Sequence, residues 1–125
     1  MVLGVGCDIL DVSRMERELA REGGGFRDDV FTPAERAWCE KQRHPARHYA
    51  ARFAAKEALI KALGQIPESG VHWSEMEIEI DPGGGARVNL TGRMRALATE
   101  LGVERIMVSF SGTDTATMAV VITEA

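Results

Sequence analysis

The sequence predicts an α+β fold in one domain spanning residues 1–125, an antiparallel sheet packed with helices, one of them long and central. Three observations carry this. An apolar N-terminal run is followed by stretches of helical spacing as far as Gly64. Two β-rich runs, Trp73 to Ile80 and Ala86 to Leu90, flank the turn Asp81-Pro82-Gly83-Gly84-Gly85. One more helical stretch then precedes two strand-like runs at the C-terminus.

Taken in order, Met1 to Asp11 is a short apolar strand whose glycines allow close packing or a turn, and which ends on carboxylates. Asp11 to Glu22 follows as a polar helix, with Asp11 or Ser13 as its cap and Ile9, Leu10, Val12, Met15 and Leu19 as apolar surface. Thr32-Pro33 opens the next helix, and Glu35 at its third position completes a capping box. A break at His44-Pro45 precedes the long helix, along which Ala50, Ala54, Ala58 and Ala62 form a smooth ridge for close approach of another element. Tyr49 and Phe53 lie in the same row of that helix as Glu57 and Lys61 and are expected as core neighbours of that pair. Thr91 caps a helix through about Leu101, and strands follow near Arg105 to Ser111 and Thr115 to Ile122. The Gly23-Gly24-Gly25 and Gly83-Gly84-Gly85 runs read as turns, since neither has the spacing of a phosphate-cradling loop.

With 45% hydrophobic and 27% charged residues among 125, the composition is that of a globular protein with a real core. No stretch is long and apolar enough for a membrane span, and the first one lacks the basic lead of a signal peptide, so a cytoplasmic protein is expected. Cys7 and Cys39 lack metal-ligand spacing, and Cys7, in an apolar strand, is expected in the core. The histidines show no zinc pattern. The net charge of −4 argues against nucleic-acid binding, yet Arg36, Lys41, Arg43, Arg47, Arg52, Lys56 and Lys61 make one region locally basic and suited to an anion.

Glu57 and Lys61 stand one turn apart on one helix face. Such a pair, common on solvated helices, adds roughly 0.2–0.5 kcal/mol to a helix as a surface ion pair; it could also hold a metal and a phosphate. Asp8 lies where the strand gives way to the next element, before the candidate caps Asp11 and Ser13, which leaves it free for another role such as metal binding.

Gly4-Val5-Gly6-Cys7-Asp8-Ile9, followed about fifty residues later by Arg52-Phe53-Ala54-Ala55-Lys56-Glu57-Ala58-Leu59-Ile60-Lys61-Ala62-Leu63-Gly64, resembles the holo-acyl-carrier-protein synthase family of phosphopantetheinyl transferases. Phe31-Thr32-Pro33-Ala34-Glu35 and Val108-Ser109-Phe110-Ser111 extend the resemblance over nearly the whole chain. It implies a phosphopantetheinyl transferase-like fold, and an enzyme that moves the 4'-phosphopantetheine arm of coenzyme A onto a serine of apo acyl carrier protein, releasing adenosine 3',5'-bisphosphate. The carrier protein could serve fatty acid synthesis or a specialised polyketide pathway.

On that resemblance Asp8 and Glu57 are expected to hold Mg²⁺, and Glu57 and Lys61 to be catalytic, Lys61 pairing with the pyrophosphate. The general base is either Glu57 or a metal-bound water that it orients. Arg52, Lys61, Gly64 and Arg43 are expected to bind coenzyme A, with Arg47 and His48 joining Arg43 and Arg52 around its 3'-phosphate. Arg14 above all, with Arg17 and Arg21 along the first helix, offers a basic face to the acidic carrier protein. A homotrimer with sites between subunits is also implied. Many relatives carry Ser-His or Thr-His where this chain has Ser111-Gly112-Thr113-Asp114, so a nucleotide contact by that histidine is not carried over, and Ser109, Ser111 or Thr113 are alternative contacts.

Overall fold

The first strand, β1 (Val2–Asp11), lies directly on the backbone of the long helix, α4 (Pro45–Leu63), because two of its residues have no side chain. A Cβ at Gly4 would sit 1.9 Å from the carbonyl oxygen of Ala62, and one at Gly6 would sit 1.9 Å from that of Ala58. Both alanines belong to the predicted ridge, and Ala50, Ala54 and Ala58 are fully buried. Because the obstruction is main chain, no rotamer change relieves it. Gly6→Ala is therefore expected to destabilise the fold by about 1–3 kcal/mol, the usual range for overpacking. An unchanged denaturant midpoint in that variant would contradict the described contact.

The structure is a computed structural model that describes residues 1–21 and 23–125. After β1 come α1 (Val12–Ala20), α2 (Phe26–Val30), α3 (Pro33–Glu40), α4, a 3₁₀ turn (Trp73–Glu75), β2 (Met76–Ile80), β3 (Ala86–Leu90), α5 (Gly92–Glu100), β4 (Arg105–Gly112) and β5 (Ala116–Glu124). β1, β5 and β4 form an antiparallel sheet in that order, and β2 and β3 form a separate hairpin. Ala119 and Val121 of β5, with Ile106, Val108 and Phe110 of β4, join the apolar core around the second half of α4. A second cluster around Phe31, Tyr49, Met15 and Cys39 lies at its first half.

Several boundaries follow the sequence reading. Thr32 accepts from the Glu35 amide while the Glu35 side chain accepts from the Thr32 amide, the expected capping box. α4 ends at Gly64, whose φ of 76° is the left-handed cap that glycine favours.

Other expectations need correction. Cys7 is exposed rather than in the core, and Ile9 is 69% exposed, because the helix-facing positions of β1 are the even ones set by Gly4 and Gly6. Asp8 lies inside β1 rather than at its end. Asp11 occupies the cap position of α1 without a side-chain hydrogen bond, and Ser13 lies within the helix. α1 ends at Ala20, and Glu22, its expected end, lies outside the described residues. The stretch expected as a strand from Trp73 begins as the 3₁₀ turn, and the short helix Phe26–Val30 was not foreseen. Thr91 holds the cap position of α5, but its side chain makes no capping bond; Glu75 Oε1 accepts from the Met94 amide instead, at 3.2 Å.

Candidate active site

The seam between β1 and α4 brings together the carboxylates singled out in the sequence. Asp8 is an even position of β1 and so faces the helix side. Lys61 Nζ donates to Asp8 Oδ1 and to the Cys7 carbonyl, both at 3.0 Å. Glu57, one turn earlier on α4 and half-buried, faces the same group. Burial pushes the Glu57 carboxyl above its ordinary range, the Asp8 charge pushes it further, and the Lys61 and Arg14 cations oppose both. Asp8 in turn raises the Lys61 ammonium, first by its hydrogen bond and then by its charge. Asp8, Glu57, Lys61 and Arg14 are thus one electrostatic unit, drawn from β1, α1 and α4.

The remaining anion-binding candidates do not form one cluster. Arg52 and Lys61 are nine positions apart on α4, about 180° around the helix. Arg52 is 2% exposed, its guanidinium lies 4.3 Å from the centre of the Trp38 ring, and its Nε has no partner. Arg43 lines another groove, with Glu16, His44, Arg47 and Asp114, where Arg47 pairs with Asp114 at 3.4 Å. His48 packs edge-on against Trp38, and burial, then Arg52, Arg47 and His44, lower its pKa, which makes it a poor cation for a phosphate. Arg21 pairs with Glu18 on the exposed face of α1. Gly64 closes α4 less than one turn beyond Lys61, with nothing within 4 Å of the place a Cβ would take. At Gly112 a Cβ would lie 2.9 Å from the Ala116 carbonyl oxygen, so a side chain there requires a different turn between β4 and β5.

The feature not foreseen is beside Glu57. Lys56 is fully buried, and its three ammonium protons go to the Val30 carbonyl at 2.6 Å, Glu35 Oε1 at 2.7 Å and the Trp73 carbonyl at 3.1 Å. Glu35 Oε2 accepts from the Ile78 amide at 2.8 Å. Burial draws the Lys56 pKa down, and Glu35 opposes that through its charge and its hydrogen bond. The available signal was helical spacing: Lys56 sits on a stripe with Tyr49, Phe53, Leu59 and Leu63, so its charge needed an internal partner.

Two carboxylates and a lysine ammonium are thus fixed between a strand and a helix of an α+β fold. The chain belongs to the 4'-phosphopantetheinyl transferase superfamily, whose profile matches residues 4–121. It is 40% identical over 124 residues to the holo-[acyl-carrier-protein] synthase of Geotalea daltonii, covering 99% of each chain. To that of Moorella thermoacetica it is 45% identical over 123 residues, covering 98% of this chain and 94% of the other. Its fold is similar to the crystal structure of the Neisseria meningitidis synthase, with a TM-score of 0.89 at 29% identity and full coverage of both chains. It is likewise similar to a synthase–coenzyme A complex described as from Chronobacterium ammoniagenes, with a TM-score of 0.87 at 29% identity, covering 96% and 95%.

Proposed function

We propose that this chain transfers the 4'-phosphopantetheine arm of coenzyme A to a serine of apo acyl carrier protein, giving the holo carrier protein and adenosine 3',5'-bisphosphate. The observation that carries the reading is the contact of Lys61 with Asp8, across fifty-three residues of sequence, beside the Glu57 carboxylate. In the reaction the serine Oγ forms a bond to the phosphorus that bears pantetheine, and the bond from that phosphorus to the bridging oxygen of the nucleotide breaks. Glu57 takes the serine proton, directly or through one water; a half-buried carboxyl with a raised pKa suits that task. Lys61 pairs with the pyrophosphate and offsets the charge that grows on the departing nucleotide.

Asp8 and Glu57 are the proposed Mg²⁺ ligands. Among the described residues no group of three His, Cys, Asp or Glu side chains is placed to hold a metal. Two adjoining carboxylates nonetheless suit Mg²⁺, which takes one or two from the protein and completes its shell with water and substrate phosphates. When bound, that ion supplies Lewis-acid neutralisation of the pyrophosphate. For the nucleotide we propose Gly64, which follows Lys61 at the end of α4, and Arg43 from the separate groove it lines; a role for Arg52 at the 3'-phosphate requires that its Trp38-facing cavity receive the group. Arg14 and Arg21 are the proposed contacts for an acidic carrier protein, whether of fatty acid or polyketide synthesis. The test is the intact mass of an apo carrier protein after incubation with this chain and coenzyme A. A gain of one phosphopantetheine with Mg²⁺ and none with excess chelator is expected; no gain with Mg²⁺, for carrier proteins that a control transferase modifies, would refute the proposal.

We further propose a homotrimer. The outward face of the three-stranded sheet exposes Leu3 at 42%, Val5 at 60%, Ile9 at 69% and Met118 at 40%, an apolar area that cyclic association would cover. Ile9→Glu is expected to shift the mass seen by light scattering from trimer to monomer, whereas a monomeric unaltered chain would contradict the assembly. No helix among the described residues is long and apolar enough to cross a membrane, and a cytoplasmic setting is part of the proposal.

A further inference from the structure

We propose that Lys56 and Glu35 are positioning residues for the carrier protein: together they hold in place the aromatic surface that the carrier protein crosses to reach Glu57. The inference rests on the transferase reading above.

Two cavities meet along that surface. The larger, about 380 Å³, is walled by Phe26, Val30, Phe53 and Trp73 and rimmed by Glu18 and Arg21. The smaller, about 150 Å³, shares Glu18, Phe26 and Phe53 with it and extends to Arg14 and Met15. The trough they form therefore runs from Trp73 to Arg14, the residue whose charge acts on Glu57. Neither Asp8, Lys61 nor Arg43 lines it. A substrate held by its phosphates at Lys61 does not cross the trough, whereas one docked on the basic residues of α1 lies over it.

The trough owes its shape to Lys56. Val30 and Trp73 wall the larger cavity, and their carbonyls are the two main-chain acceptors of the Lys56 ammonium. Trp73 stacks on Phe53, with ring centres 5.1 Å apart, and Phe53 meets Phe26 at 5.8 Å. Glu35 accepts from Lys56 Nζ while binding the start of α3 and the amide of Ile78 in β2. One buried cation thus ties the end of α2 and the turn before β2 to the helix that carries Glu57. Without it the core can remain filled, but the two walls lose their shared anchor.

The test compares Glu35→Gln with the double variant Glu35→Met/Lys56→Met at a temperature at which circular dichroism shows each fully folded. In the double variant the KM for apo carrier protein is expected to rise about tenfold, with kcat within about threefold and the calorimetric affinity for coenzyme A unchanged. In Glu35→Gln the amide oxygen replaces the carboxylate as an acceptor, so Lys56 Nζ can still donate to both carbonyls, and the KM is expected to stay near normal. A purely structural role would instead reduce the active fraction, lowering kcat with both KM values unchanged. A normal carrier-protein KM in the double variant, or an equal loss of affinity for coenzyme A, overturns the inference. If neither variant folds, the pair is a determinant of the fold and the separate role is overturned as well. Absence of transfer by the unaltered chain removes the functional reading and this inference with it; transfer with an unmoved KM removes the inference alone.

Discussion

Replacing either Asp8 or Glu57 with alanine is expected to lower the transfer rate by roughly 10²- to 10³-fold, the scale on which loss of one preorganised electrostatic group acts. The two carboxylates adjoin closely enough for one to raise the pKa of the other, and Lys61 answers only part of that repulsion. In the proposed site a divalent cation completes the balance, so losing one carboxylate removes both a ligand and half of the field that attracts the ion. The effects should not add: the double variant is expected to be little slower than the poorer single one, because the residues act as a unit. The assay is initial-rate formation of holo carrier protein at saturating coenzyme A, with isothermal titration of Mg²⁺ in the presence of coenzyme A. Asp8 is partly accessible and Glu57 half-buried, so both variants should melt close to the unaltered chain. Turnover within threefold of normal in either would remove that residue from the site.

Glu35→Ala is expected to cost about 3–5 kcal/mol of folding stability, because it leaves the Lys56 ammonium buried without its counter-ion. For a domain of this size that corresponds to a fall in Tm of roughly 10–20 °C. Two amides that Glu35 satisfies, those of Thr32 and Ile78, lose their acceptor at the same time. The Glu35→Met/Lys56→Met pair should recover most of the loss, since replacing both charges with apolar groups of similar volume removes the uncompensated ion. Thermal melts of the single and double variants decide this. A Glu35→Ala melt within a few degrees of normal would show that water or a neighbouring group takes over the carboxylate's role.

What the sequence made legible was local. Thr32-Pro33-Ala34-Glu35 encloses a complete capping box, Pro45 and Gly64 bound α4, and Glu57 and Lys61 share a face by their spacing alone. What it concealed depended on partners far along the chain. Lys56 looked like one more cation in a basic region until Glu35, Val30 and Trp73 surrounded it. An apolar strand suggests a buried Cys7, but which side faces the helix is decided by the glycines. Phe26–Val30 is too short for helical periodicity to register. Counting positive charges groups Arg52 with Arg43, while helical geometry puts it opposite Lys61 on α4.

The contact of Gly4 and Gly6 with the carbonyls of Ala62 and Ala58 bears on how this site can vary. Asp8 follows Gly6 by two residues, and Glu57 and Lys61 flank Ala58, so the groups proposed to meet the pyrophosphate ride on the two main chains that touch. In most sites the gap between opposing ligands is set by intervening side chains, and drift in their volumes can widen or narrow it. Here main chain is the spacer, and its thickness does not mutate. Substitutions elsewhere in the core can alter stability while the span between the carboxylates keeps its gauge, leaving the rim free to adapt to different carrier proteins around a fixed chemical centre.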